Sequence, residues 1–215
     1  MARELLEKAL AAHGGLARWS CFATVQATIV TGGQLFGLKG TPQDPTPRRM
    51  TVATQREWAS IFPYGADDQR TDFTANRIAI EKLDGTVVKE RLHPSEHAEG
   101  KAVEAPWDVL DRAYFNGDAL WAYLTTPFHF AMPDFAVEEI EPWREDDELW
   151  RGLRVTYPPN IASHSRNRIS TSALTFCFAG MTTTWRPRGA SRRPICFRLR
   201  DDTGNYSSHK EARII

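Results

Sequence analysis

His93–His97 reads HPSEH, and its residue types and spacing come nearest to doing chemistry in this chain. It matches H-x-x-E-H, the zinc motif of inverted metalloproteases. A site of that kind needs both imidazoles on one face inside a helix, and a further acidic ligand. Pro94 fits only the first turn of a helix, Gly100 ends any helix soon afterwards, and the flanks carry no apolar face. A solvated, capped turn is the preferred reading, and a metal-dependent hydrolase using His93, Glu96 and His97 is its rival. Gly32–Gly40 (GGQLFGLKG) has the glycines of a phosphate loop. Leu38 interrupts the Gly-Lys pair, however, and no Ser or Thr follows Lys39, so a strand hairpin is expected there instead. There is no G-x-S-x-G elbow. Cys21, Cys177 and Cys196 form an odd set without C-x-x-C spacing, which points to neither a disulfide framework nor a zinc site. Cys21, close to Trp19 and Phe22, reads as a small core residue rather than a nucleophile. No catalytic residue, metal ligand or cofactor is assigned.

What the chain offers instead is apolar surface. Pro106–Pro133 is its most aromatic stretch. A helix is expected over Asp108–Leu124, because Leu110, Tyr114, Gly117, Trp121 and Leu124 recur at steps of three and four. Ala113, Leu120 and Tyr123 widen that face, so the helix should be buried on more than one side. Asp108 and Asp111 suit the positive end of its dipole, and Pro127 ends it. Gly117 in mid-helix costs about 1 kcal/mol against Ala, which implies a close approach by another backbone or a ligand. Phe128, Phe130 and Met132 extend the apolar run as a loop that either lies on the core or lines a cavity mouth. His129 among them is expected to face outward.

Strands flank this helix on both sides. A short amphipathic helix, Arg3–His13, stops at Gly14, and Leu16–Trp19 adds a turn. Val25, Ala27 and Ile29 then alternate with polar residues as a half-buried strand. Leu35–Lys39 is expected to return the chain as a strand and Thr41–Pro47 to be a loop. Arg49–Gln55, Trp58–Phe62 and Gln69–Thr74 read as further strands. Arg77–Glu81 and Thr86–Leu92 read as a hairpin through a type I′ turn at Asp84-Gly85. Beyond the helix, Ala136–Ile140 and Leu149–Tyr157 are strands, the second with Leu153, Val155 and Tyr157 facing inward. The acidic run from Glu138 to Glu148 marks a solvated hairpin end. The fold class expected is α+β: a curved antiparallel sheet, an open half-barrel, wrapped on a central apolar helix.

Ala9–Trp19 with the strand after it, Phe36–Gly40, the central helix and Leu149–Ser165 together resemble bacterial lipoprotein carriers of the LolA/LolB-like kind. The resemblance spans about Arg3–Ser165, giving a carrier-like domain at 1–165 that is incomplete at its C-terminal end. It implies an open curved sheet plugged by helices and able to hold acyl chains. The expected function is non-enzymatic binding of a lipophilic small molecule or acyl chain between the concave sheet face and Trp107–Met132. Phe36, Trp58, Phe62, Tyr114, Trp121, Phe128 and Phe130 are the expected lining. A structural or partner-binding domain without a ligand is the other alternative.

Composition supports a single domain with a tail: 215 residues, 41% hydrophobic and 11% aromatic. The formal net charge of zero gives no global attraction to nucleic acid, and nucleic acid is not an expected partner. No stretch is long and apolar enough to span a membrane, and MARELLEKALAAHGG lacks the apolar core of a secretory signal. Together with the cysteines, this places the protein in the cytoplasm as an expectation.

The residues from Arg166 onward change character. No Asp or Glu lies between Glu148 and Asp201, while Arg166, Arg168, Arg186, Arg188, Arg192, Arg193, Arg198 and Arg200 accumulate. One reading is a basic nucleic-acid arm. The preferred reading is a shifted reading frame, because codons taken from their third base permit D-F-Y-F-G-A-D-V-L-L-R-R over Ile169–Gly180, a text with strand alternation. The tail, 166–215, is accordingly expected to be poorly ordered, with one short strand near Ala173–Ala179.

Overall fold

The computed structural model describes residues 2–32, 34–41, 44–98, 105–145, 148–163, 167–172 and 178–183. It is α+β and divides into two compact units. One holds the chain up to Cys21, Thr126–Pro158 and the strands after Ser165; the other holds Phe22–Thr125 and Pro159–His164.

In the first unit, helix α1 (Ala2–Ala12) buries Leu5, Leu6, Ala9 and Leu10. It closes as expected at Gly14, whose φ of +98° only glycine adopts readily. Gly15 N donates to Leu10 O and Gly14 N to Ala11 O, the paired bonds of a Schellman stop. Helix α2 (Leu16–Trp19) then sets the Trp19 ring flat on Phe128, centroids 4.2 Å apart. Cys21, expected in the core, is exposed, and its Sγ donates to Ala17 O at 3.4 Å.

The second unit carries a six-stranded antiparallel sheet in simple sequence order. Its strands are β1 (Thr24–Thr31), β2 (Asp44–Ala53), β3 (Ala59–Phe62), β4 (Gln69–Thr74), β5 (Arg77–Lys82) and β6 (Val87–Leu92). Gln34–Leu38 between β1 and β2 is helix α3, not the expected returning strand. The alternation there is too short to choose, and the second Schellman pair decides: Thr41 N to Phe36 O at 2.9 Å and Gly40 N to Gly37 O at 3.0 Å, with Gly40 at φ +67°. β2 also begins earlier than expected, taking in Pro45 and Pro47. β3 pairs only with Arg49–Val52, so these prolines lie where no ladder donor is required on that side. The β5–β6 turn is a second correction. Gly85 has φ +89° but Asp84 does not have positive φ, so type I′ is excluded. Gly85 N donates to Lys82 O and Lys82 N to Thr86 O, a type I turn closed by a glycine bulge.

Helix α4 (Pro94–Ala98) is a single turn, and α5 (Val109–Thr125) is the main helix of this unit. Asp108 is the N-cap of α5: its Oδ1 accepts from Leu110 N and Asp111 N, while Asp111 Oδ2 accepts from Asp108 N. Burial pushes the Asp108 carboxyl up, but those backbone bonds and the Arg91 guanidinium outweigh it and hold it below its usual range. Arg91 on β6 reaches both Asp108 and Asp111 at 2.6 Å. α5 packs across β2, β3, β4, β5 and β6. Gly117 faces Phe73 of β4, and the Tyr114 ring tilts against Phe73 with centroids 5.4 Å apart. Trp121 is fully buried, and its Nε1 donates to Ala53 O and Arg56 O at 3.1 Å each. The Gly117 expectation thus resolves onto a side chain of the sheet.

The strands after α5 do not join the first sheet. β7 (Ala136–Glu145), β8 (Glu148–Thr156), β9 (Asn167–Ser172) and β10 (Phe178–Thr183) form a four-stranded antiparallel sheet of the first unit, in the order β10-β9-β8-β7. Leu153, Val155 and Tyr157 are buried as expected, and α1 packs on β7 and β8. β9 pairs with β8 from Thr156↔Asn167 to Arg151↔Ser172. Two six-residue strands flank the stretch near Ala173–Ala179 where one short strand was expected, and most of that stretch lies outside the described residues. Residues 166, 173–177 and 184–215 of the tail lie outside the described residues.

Gly117→Ala measures the helix–sheet contact. In an open helix the change stabilises by about 1 kcal/mol. Here the new Cβ would overlap Phe73 Cγ and lie 2.8 Å from Phe73 Cβ, which is not a flexible chain end. A net loss of about 1–3 kcal/mol is expected, read from denaturant midpoints. A gain would mean that α5 stands off the sheet.

Candidate functional site

The described residues hold no group of three or more His, Cys, Asp or Glu placed to hold a metal ion. In HPSEH, His93 precedes the helix at φ 47°, Pro94 takes its first turn, and Glu96 N donates to His93 O. His93, Glu96 and His97 are exposed, and His97 Nε2 approaches Asp111 Oδ1 at 3.8 Å. A helix of five residues leaves no interior in which two imidazoles share a face.

A denser constellation lies where α3 and the start of α5 meet. Phe36, Trp107 and Phe115 form an aromatic triangle with centroid separations of 6.3, 6.2 and 5.0 Å. The Schellman stop of α3 turns Phe36 inward, and Trp107 N donates to Lys39 O at 2.9 Å, which fixes the strap before α5 against α3. Phe36 is buried, while Trp107 and Phe115 are half-buried. Leu35 and Leu38 on α3 and Val109 at the start of α5 are exposed large apolar residues of the same segments.

Three cations stand on rings here. Lys39 Nζ is 5.2 Å from the Trp107 centroid, Arg112 Cζ 4.8 Å from Phe36, and Arg48 Cζ 5.8 Å from Tyr64. Lys39 Nζ also donates to Ala105 O at 3.4 Å. The Tyr64 hydroxyl donates to Val109 O at 2.9 Å, which ties the chain after β3 to the first turn of α5. Burial pushes the Tyr64 phenol up to about 12, against the pull of Arg112 and Arg48. Burial, reinforced by Arg112, pulls the Arg48 guanidinium down.

A second buried polar group lies on the sheet-facing side of α5. Burial, then Asp118 and Glu57, push the Tyr114 phenol well above its ordinary range. Glu57 Oε2 accepts from Ala162 N at 2.9 Å. In the first unit, His129 is fully buried instead of facing outward, with Nε2 2.7 Å from the Tyr157 hydroxyl. The 3₁₀ turn at Phe128–Ala131 sets Phe128, His129 and Phe130 all into buried positions, which strict alternation of a loop does not allow.

The seven expected lining residues therefore disperse. Phe36 belongs to the aromatic triangle. Tyr114 and Trp121 pack with the sheet around Phe73. Trp58 is half-buried and donates from Nε1 to Asp72 at 2.7 Å, and Phe62 lies under Arg49. Phe128 and Phe130 are buried in the other unit. Tyr64, Trp107, Phe115, Lys39, Arg48 and Arg112 are not among the expected lining residues. A signal for Arg112 was present: an arginine inside a helix apolar on several sides has to be buried with a partner or placed for a ligand.

The chain matches no protein-family model, no curated protein and no solved structure.

Tyr64 gives a test of this geometry. Its unfolded pKa is near 10 and its folded pKa about 12. Between them the folded state keeps a proton that the unfolded state loses. The contribution is thus fully present below pH 10 and is lost as pH rises through about 12. Chemical unfolding across this window should show falling stability, and Tyr64→Phe should flatten the fall while costing about 0.5–1.5 kcal/mol at neutral pH. An unchanged slope would place the hydroxyl in water.

Proposed function

We propose that this protein is a non-enzymatic binder of a lipophilic small molecule or acyl chain, held at the α3 end of the six-stranded sheet. The observation that carries the reading is the aromatic triangle of Phe36, Trp107 and Phe115, with Trp107 and Phe115 half-buried and Leu35, Leu38 and Val109 exposed on the same segments. Exposed apolar surface next to half-buried aromatic rings is a cost in water that a greasy ligand removes. The proposal moves the ligand away from the middle of α5, because Phe73, Trp121 and their neighbours fill that interface as core. Phe36 is the residue common to the expected lining and the proposed one.

The finer architecture belongs to the same proposal. The sheet would curve as an open half-barrel around α5, in the manner of the lipoprotein carriers that the sequence resembles, and the protein would act in the cytoplasm. An open sequential sheet with one long apolar helix across five of its strands supports the curvature.

Native mass spectrometry of freshly purified protein should show a co-purified lipid or retention of added hexadecanol. Leu38→Glu and Trp107→Ala are each expected to weaken retention by about tenfold or more. Repeated absence of both co-purified and added ligand would overturn the reading. The shifted frame proposed from about Arg166 is tested on the coding DNA. Its third-base frame should run without stops through the codon for Phe197 and read as the strand-like text; a stop there removes the idea and leaves the basic arm.

A further inference from the structure

The proposed site carries more positive charge than an apolar ligand needs. Arg48 shares the core-facing side of β2 with Met50 and Val52, both 0% exposed. A buried strand ordinarily fills such a position with an aliphatic side chain. Arg112 is 8% exposed within α5. Arg48 is half-buried, and taking the Arg112 guanidinium out of water beside this second positive charge is costly. Each is stacked on a ring, which engages the face of the guanidinium, while its N–H donors lie in the plane. Asn116 lies one helical turn beyond Arg112 on the same face of α5. It is 2% exposed, and its Nδ2 meets no acceptor among the described residues. Buried amide donors are hydrogen-bonded in the great majority of cases, so this one points to a missing acceptor. At the start of α5, Asp108 and Asp111 pair with Arg91 and cap the helix.

We infer that this cluster takes the anionic head of a single-chain amphiphile, a carboxylate or phosphate monoester, with Arg48 and Arg112 on its charge and Asn116 donating to it. The chain of the amphiphile lies on Phe36, Trp107 and Phe115. An oxyanion accepts several in-plane N–H bonds at once, which matches the guanidinium fork better than any neutral head. The inference rests on the lipophilic-binder reading and adds the chemical class of its ligand.

Calorimetric titration of the full chain with hexadecanoate, hexadecyl phosphate and hexadecanol tests it. Both anions are expected to bind at least about tenfold more tightly than the alcohol. Arg48→Gln should bring that ratio towards one, whereas Arg49→Gln, on the opposite side of β2, should leave it unchanged. Arg112→Gln and Asn116→Leu repeat the test from the helix, with circular dichroism to show that each variant folds. The order of the two anions distinguishes a fatty acid from a phosphoester. Equal affinity for all three ligands, or a ratio untouched by Arg48→Gln, overturns the inference and leaves the lipophilic reading standing. Failure of all three to bind overturns the lipophilic reading itself.

Discussion

The contact between Gly117 and the Phe73 ring sets how close α5 comes to its sheet. With no side chain at 117, the helix backbone settles on the ring, and Tyr114 and Trp121 fall to either side along the same face. That depth brings Trp121 Nε1 to two carbonyls, Ala53 O at the end of β2 and Arg56 O in the turn after it. An indole N–H buried without an acceptor is a substantial cost, and here one donor ties the helix to the turn that leads into β3. The start of the helix is fixed independently. Arg91 grips both aspartates of the capping pair, and Tyr64 grips Val109 O. Depth and start together determine where Arg112 and Asn116 stand.

The site at the α3 end follows from these constraints and from a conflict that they create. α5 is too apolar to be a surface helix, yet it carries Arg112, Asn116 and Asp118 into buried positions. Cations on aromatic faces recover part of the desolvation cost, which explains why Lys39, Arg48 and Arg112 each stand on a ring. The HPSEH stretch shows the opposite case. Its residue types suit metal chemistry, but five helical residues opening on a proline cannot present them together.

In β1, β4 and β8, alternation of apolar and polar residues located strands because one face of each is buried and the other is not. Short segments were less legible. Leu35–Lys39 has too few residues for period two and period 3.6 to be told apart, and backbone bonds closed by Gly40 and Thr41 chose the helix. His129 was read from its neighbours as part of an alternating loop, but a 3₁₀ turn gives it a different direction and Tyr157 gives it a partner. The strands after α5 were recognisable as strands. Their pairing into a separate sheet was not, since alternation says which face is buried and not which edge is met.

The sequence by itself determined the helix over α5, the acidic residues at its positive end, the stop at Gly14, the inward set Leu153, Val155 and Tyr157, and the need for a close approach at Gly117. Each is a local matter of period, backbone freedom or helix-end hydrogen bonding. Tertiary structure alone decided that Phe73 makes that approach, that the strands belong to two sheets, and that Phe36, Trp107, Phe115, Arg48 and Arg112 converge while Trp58, Phe128 and Phe130 go elsewhere. Convergence depends on strand register and helix depth, which are set by contacts between residues far apart in the chain, and no local pattern encodes them.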